Sequence, residues 1–406
     1  MKKFYYFILI ISFTFFISCT DETASGINAI LKDDSVSTND CKPYLSPKKY
    51  AKIKDSIFAD SKSQAIQHRI DSIQHLKKLN GLLYIQQKGI VITKYIQGST
   101  CMNCEKSEII NENTLFQLAS LSKTFTAVAA LQLIEQKKLN LEDSVEKFFP
   151  EFPYKNIKIK SLLSHRSGLP NYMYAFDDSM RRNVTKPDNQ KIIQWLINVK
   201  PDPYNRPNKS FCYNNSNYAV LAAIIEQISG LSFTEYLNQK IFKPLGMNNT
   251  YLINNLPQNT NISKGYERTR LIPKDFYDDV LGDKGIYSCL NDLIIWYNAL
   301  NGTCLLKRET LEIAFLPQSF EYPGRKNYGL GFRLWLDKDQ KNVKYIYHNG
   351  WWKGYNTLFW FSPKSKTLII SLTNIKNKSI YYIKPYIEIL EPEEKNNKDE
   401  DSDSDE

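Results

Sequence analysis

Apolar and polar residues alternate in blocks along this chain, and the blocks change period twice. From about Pro47 to Lys78 the apolar positions Ile53, Ile57, Ile66, Ile70 and Ile73 fall at mixed three- and four-residue spacings, which predicts a helix. Asn80-Gly81 then introduces two short apolar runs, Leu82–Ile85 and Ile90–Thr93, around Gln86-Gln87-Lys88-Gly89. That pattern predicts strand, tight turn, strand. Lys123 to Lys137 is apolar on most faces and predicts a buried central helix. A second helix is predicted from about Asn217 to Ile228, with Gly230 as its cap, and a third from Asn291 to Leu300. From Tyr328 the period returns to strands: Gly329–Trp335, Tyr345–Tyr347, Thr357–Phe361 and Thr367–Thr373. Strands at both ends and helices between them predict an α/β (α+β) fold. Its antiparallel sheet is built from both chain ends and flanked by helices, with a mostly helical inserted lobe.

The start of the chain sets the compartment. Lys2 and Lys3 precede an apolar run, Phe4 to Ile17, that contains Ser12 and Thr14 and ends at Ser18-Cys19. A run this short, with a basic start and a small residue at its end, reads as a signal peptide and not as a membrane span. Phe16-Ile17-Ser18-Cys19 resembles a bacterial lipobox, so Cys19 is the expected lipidation site. Residues 20–45 are polar and suit a tether. A folded domain is expected over residues 46–388, followed by a disordered acidic tail over 389–406. The expected location is the bacterial cell envelope, lipid-anchored on the periplasmic or surface side.

Charge sharpens that picture. The last sixteen residues carry nine acids and two lysines, so the overall +10 becomes +17 over residues 1–390. A basic body favours anionic surfaces such as phospholipid or acidic wall polymers. Its lysines are scattered, with no finger or helix-turn-helix spacing, so no nucleic-acid partner is expected. Nothing in the sequence points to a protein partner. Beyond Cys19, Cys101 and Cys104 are close enough to pair in an exported protein. No second Cys or His pair follows at ligand spacing, and no metal or other cofactor is expected.

Three segments carry candidate chemistry. In Ser120-Leu121-Ser122-Lys123 the serine and lysine are three residues apart at the mouth of a helix, on one face. A serine hydroxyl needs a base, and lysine serves only when its ammonium is destabilised. The helix N-terminus disfavours that cation and stabilises negative charge developing near Ser120. Ser46/Lys49 and Ser144/Lys147 share the spacing, so context has to separate them. Tyr213-Asn214-Asn215 offers a phenol to relay protons and an amide that both donates and accepts. His348-Asn349-Gly350 places a glycine on a strand edge, where a substrate backbone can approach, and Trp351 then offers a backbone N–H.

With Leu162–Pro170, Pro244–Met247, Gly285–Ser288 and Tyr328–Gly331 in the same order, these segments resemble the penicillin-recognising serine hydrolases. The likeness is to the class C β-lactamase-like branch, which includes penicillin-binding proteins, esterases and D-amino-acid peptidases, and it covers roughly residues 75–375. It implies a β-lactamase/transpeptidase-like fold and an acyl-enzyme on Ser120, with Lys123 and Tyr213 handling protons. It implies substrate contacts at Asn215, His348, Gly350 and Trp351, and an oxyanion hole from the Ser120 and Trp351 N–H groups. His348 departs from the lysine common at that position. A mostly neutral imidazole weakens the case for a β-lactamase and leaves a small ester, amide or peptide substrate. A D-Ala-D-Ala carboxypeptidase or β-lactamase is the alternative enzyme, and a non-catalytic binding protein the alternative class. A Ser-His-Asp triad through His165 is disfavoured because no Gly-x-Ser-x-Gly elbow exists. Cys212 reads as a buried strand cysteine.

Overall fold

A close approach fixes where the sheet begins. A Cβ on Gly81 would lie 2.0 Å from the Leu372 carbonyl oxygen of a neighbouring strand. The structure, a computed structural model, describes residues 79–391 except 103, 105–106, 176–185 and 259–260, together with the single residue His68. β1 (Gly81–Gln87) and β2 (Ile90–Gln97) form the hairpin expected from the alternation. Lys88 and Gly89 both take positive φ at the turn between them, which matches the twist of the paired strands.

The helical part follows. α1 (Ser122–Glu135) is buried along nearly its whole length. α2 (Asn189–Val199) starts at Asp188, whose side chain accepts from the Lys191 N–H. α3 (Ser216–Ser229) ends at Gly230 in the left-handed conformation, and α4 is Leu290–Asn301. Five strands then complete the sheet: β3 (Lys326–Tyr328), β4 (Arg333–Leu336), β5 (Val343–Trp352), β6 (Tyr355–Ser362) and β7 (Thr367–Thr373). The order is β2-β1-β7-β6-β5-β4-β3, antiparallel throughout, so the first hairpin docks on the last strand. α5 (Lys384–Leu390) closes the described chain.

Both faces of the sheet are covered, and the period of two sorts the side chains between them. Leu82 and Tyr84 join α1, α3 and α4 in the large core, while Leu83 and Ile85 meet Tyr345, Trp360, Ile369 and Tyr386 on the other face. On this second, smaller face α5 contributes the buried Tyr386 and the partly buried Ile387, Ile389 and Leu390.

Two strand expectations change. Gly329–Trp335 is not one strand: it breaks at Gly329–Phe332, where Gly331 takes φ +96° and rests on α1. A Cβ there would stand 2.2 Å from that of Ala127. The strand expected at Tyr345–Tyr347 runs on to Trp352, through His348-Asn349-Gly350, a segment expected at the strand's end. The helix α5 also reaches Leu390, two residues into the stretch read as acidic tail. The leader and Cys19, the tether, the helix expected over 47–78 apart from His68, and the tail beyond Glu391 lie outside the described residues. Among the described residues, no helix is long and apolar enough to cross a membrane.

Candidate active site

The loop before α1 is clamped from two sides. The Leu118 N–H donates to Ile286 O (2.7 Å), Ile286 N–H donates to Ser122 Oγ (3.2 Å), and Thr357 Oγ1 of β6 donates to Leu118 O (2.8 Å). Between these anchors Ala119, fully buried, takes φ +51°. A left-handed non-glycine costs energy and persists only where the surroundings impose it. Here it turns the chain so that Ser120, half-buried, stands at the head of α1.

Lys123 follows one turn later and is fully buried. Its Nζ lies 3.2 Å from Ser120 Oγ, 2.8 Å from Asn215 Oδ1 and 2.7 Å from the Asp283 carbonyl oxygen. The same nitrogen is 5.1 Å from the centre of the Tyr213 ring. The Ser–Lys pair and the Tyr213–Asn215 segment, ninety residues apart in sequence, therefore meet around one amine. Ser144 and Lys147 share only the spacing: Lys147 is exposed and pairs with Asp143 at 2.9 Å. Ser46 and Lys49 lie outside the described residues.

Tyr213 is held from behind. The His165 ring lies 4.2 Å from its ring, centre to centre, and the Arg333 guanidinium 4.9 Å from the ring centre on another side. Its buried hydroxyl has no partner at hydrogen-bonding geometry among the described residues. His165 is buried with φ +57°, and its Nδ1 accepts the Asn214 N–H at 3.1 Å and lies 3.1 Å from Asn217 Nδ2. Two donors on Nδ1 put the ring proton on Nε2. No carboxylate is among its described hydrogen-bond partners, so the histidine braces the Tyr213 loop and does not form a triad. Asn215 Nδ2 donates to Met173 Sδ. Cys212 is half-buried in a loop, not on a strand, because the chain here rises from the Pro207–Ser210 turn straight into α3.

The third segment lies on β5. β4 pairs only with Val343–Tyr347, so His348–Trp352 has β6 on one side and, among the described residues, no strand on the other. His348 is fully buried: Nδ1 donates to the Asn349 carbonyl (2.8 Å) and Nε2 accepts from Tyr328 Oη (3.1 Å). Burial, with Arg333 and Lys123 nearby, pushes its pKa well below the ordinary histidine value. The imidazole is neutral and both nitrogens are engaged, so a substrate contact through the ring is not what this geometry offers. Gly350 is also required by the protein's own packing. A Cβ there would stand 2.1 Å from Leu118 O and 2.2 Å from Thr357 Oγ1. The close neighbour is the protein's own loop before Ser120. Trp351 stands 56% exposed at the rim, and Trp352 Nε1 donates to Asp278 Oδ1 at 2.8 Å.

Matched against known proteins, residues 83–386 fit the family model described as Beta-lactamase. The chain belongs to the Beta-lactamase family. It is a serine hydrolase of that family, related to the penicillin-binding proteins. It is 30% identical to Penicillin-binding protein 4* of Bacillus subtilis, over 79% of this chain and 74% of that one. It is 31% identical to the Teichoic acid D-alanine hydrolase of Staphylococcus aureus, over 49% of this chain and 47% of that one. The structure of the octameric penicillin-binding protein homologue from Pyrococcus abyssi superposes with a TM-score of 0.68. That match is at 25% identity and covers 80% of this chain and 76% of that one. The β-lactamase/transpeptidase-like fold expected from the motifs is the fold found.

Several residues around the family's site are not marked by any motif. Arg333 reaches Tyr213 and His348 only because β4 pairs with β5 in this register. Asp283 contributes a backbone carbonyl, which no residue type announces. Behind it lies a buried cluster in which Lys284 Nζ meets Tyr172 Oη (2.5 Å) and the Asp283 carboxylate (3.3 Å), and Tyr172 Oη donates to Asp283 Oδ2 (2.8 Å). Burial lowers the Lys284 pKa and the Asp283 charge opposes that shift. Cys101 and Cys104 form a disulfide.

Proposed function

We propose that this hydrolase works through an acyl-enzyme on Ser120, with Lys123 and Tyr213 as the proton-handling pair, on a small ester, amide or peptide of the bacterial cell envelope. The observation that carries this reading is the fully buried Lys123 amine, 3.2 Å from Ser120 Oγ and 2.8 Å from Asn215 Oδ1. An amine so enclosed can take the serine proton as Oγ attacks a carbonyl, and the Tyr213 hydroxyl, beside the Arg333 guanidinium, can return it to the leaving group. Negative charge on the tetrahedral oxygen would fall to the Ser120 and Trp351 N–H groups. The substrate meets Asn215 through its amide and β5 through the free edge at Gly350 and Trp351.

The neutral, enclosed His348 supports an ester or small amide over a penicillin, because it leaves no lysine cation at that position to anchor a carboxylate. The basic body, at +17 over residues 1–390, suits a substrate carried on an anionic wall polymer. The likeness to a teichoic acid D-alanine hydrolase makes D-alanyl esters the first substrates to test. Export through the leader, anchoring at Cys19 and a tether over 20–45 would hold the enzyme at the membrane. A fluorophosphonate and a labelled penicillin separate the readings. Labelling of Ser120 by fluorophosphonate alone fits the esterase; labelling by penicillin as well supports the carboxypeptidase or β-lactamase alternative. No acylation of folded protein by either probe supports the non-catalytic alternative and sinks the proposal. A Cys19→Ala protein that stays in the membrane fraction would refute the anchor.

A further inference from the structure

We propose that Tyr381, outside every motif of the site, is a positioning residue for the oxyanion hole: by holding the Gly350 carbonyl it aims the Trp351 N–H at the reacting centre. The inference rests on the acyl-enzyme reading above. Tyr381 ends the short turn Lys378–Tyr381 between β7 and α5. Its hydroxyl donates to Gly350 O (2.5 Å) and accepts from Asn356 Nδ2 (2.8 Å). A phenol has a single proton to donate; here it goes to Gly350 O while the oxygen accepts from Asn356, and these two bonds set the direction of the group.

The geometry of an extended strand transmits that grip. Gly350 lies opposite Thr357 in the β5–β6 register, and its carbonyl points to that side, where Tyr381 and Thr357 are. Successive residues of a strand direct their N–H and C=O groups to opposite edges. The chain has no cis peptide among its described residues, and in a planar trans peptide the C=O of one residue and the N–H of the next point apart. The Trp351 N–H therefore points to the edge that β4 leaves open. Leu118 O lies directly over Gly350, and Ser120 is two residues beyond it. Rotation of the Gly350–Trp351 peptide would move the N–H off this line, and the Tyr381 hydroxyl opposes that rotation.

The holder is itself held. Asn356 is fully buried, and its Oδ1 accepts the Asn377 N–H at 2.9 Å while its Nδ2 reaches Tyr381. Asn377 Oδ1 in turn accepts the Ser379 N–H, which shapes the turn that presents the phenol. Burial pushes the Tyr381 pKa up to about 12, so the hydroxyl keeps its proton to donate throughout the neutral range.

Tyr381→Phe tests this directly, since it keeps the ring and removes only the hydroxyl. Loss of a whole oxyanion donor costs roughly 10²–10³-fold in kcat; a donor left in place but loosened should cost about 10-fold. With p-nitrophenyl acetate, kcat should fall by that factor while KM stays within about two-fold of native. Phenylboronic acid, whose tetrahedral adduct on Ser120 places an oxygen in the hole, should lose affinity by the same factor. Should the phenylalanine variant fail to fold, Asn356→Ser keeps the phenol and removes one of its anchors, and a smaller loss with the same kcat-only pattern is expected. Native kcat and boronate affinity in a folded variant would overturn the assignment, as would a loss that falls equally on KM. If p-nitrophenyl acetate does not acylate Ser120 of the native protein, the acyl-enzyme reading fails too.

Discussion

Gly350→Ala puts one methyl group into the contact that joins the third segment to the nucleophile loop. The added carbon would stand 2.1 Å from Leu118 O and 2.2 Å from Thr357 Oγ1, against 3.4 Å or more for an ordinary contact. Strand and loop must part by about 1 Å to admit it. The loop has little slack, because Leu118 is tied through its N–H to Ile286 and through its carbonyl to Thr357. Overpacking of this kind costs about 1–3 kcal/mol, which lowers Tm by roughly 2–6 °C in a domain of this size. The larger effect falls on chemistry, since a displacement of about 1 Å between reacting groups costs about 10²-fold in rate. The assay is p-nitrophenyl ester hydrolysis with the rate of fluorophosphonate labelling at Ser120, beside a thermal melt. Both rates should fall together, because Ser120 itself has moved. Native Tm and native rates would refute the reasoning. Unchanged fluorophosphonate labelling with impaired turnover of a bulkier ester would show that Gly350 serves substrate approach and not the loop.

Two further outcomes follow from the geometry. Asn215→Ala removes an acceptor 2.8 Å from the Lys123 amine; a hydrogen bond to a charge-bearing group is worth about 1.5–3 kcal/mol. Steady-state kinetics should show kcat/KM down by roughly 10- to 150-fold, and a loss under two-fold would remove Asn215 from the machinery. His165 and His348 are both buried, and burial with the neighbouring cations pushes both pKa values well below the ordinary one. The unfolded chain binds a proton at each near pH 6.5 and the native state does not, so stability falls as pH drops below that value. The slope is up to about 2.7 kcal/mol per pH unit for the two together. Urea unfolding at pH 7.5, 6.5 and 5.5 measures it, and a flat profile would show that the rings are not held neutral.

The layout of the fold was legible because burial writes itself into period. Leu82–Ile85 alternates between two covered faces and α1 is apolar all round, and both appear where the pattern places them. The pattern misled where one residue type serves two ends. Gly329 and Gly331 read as strand but make a break, Gly329 against the Ala314 carbonyl and Gly331 against Ala127, and His348-Asn349-Gly350 reads as a strand's end but is its continuation. At the site, residues contributed as side chains at fixed spacing were visible: Ser120, Lys123, Tyr213 and Asn215. Those contributed by the backbone or by strand register were not. The Asp283 carbonyl leaves no mark in composition, and Arg333 becomes a neighbour of Tyr213 only once β4 is paired. The hydrogen bonds of His348 were not legible for the same reason, because they depend on a strand register the sequence alone does not supply.

The central claim is that Ser120 is the nucleophile and Lys123 its base. Intact-protein mass followed by peptide mapping, after brief exposure to a fluorophosphonate, tests both. The native protein should gain a single adduct on the peptide containing Ser120. Ser120→Ala should gain none, and Lys123→Ala should gain it at least about 10²-fold more slowly. An adduct that persists in folded Ser120→Ala, or labelling of Lys123→Ala at the native rate, would contradict the account.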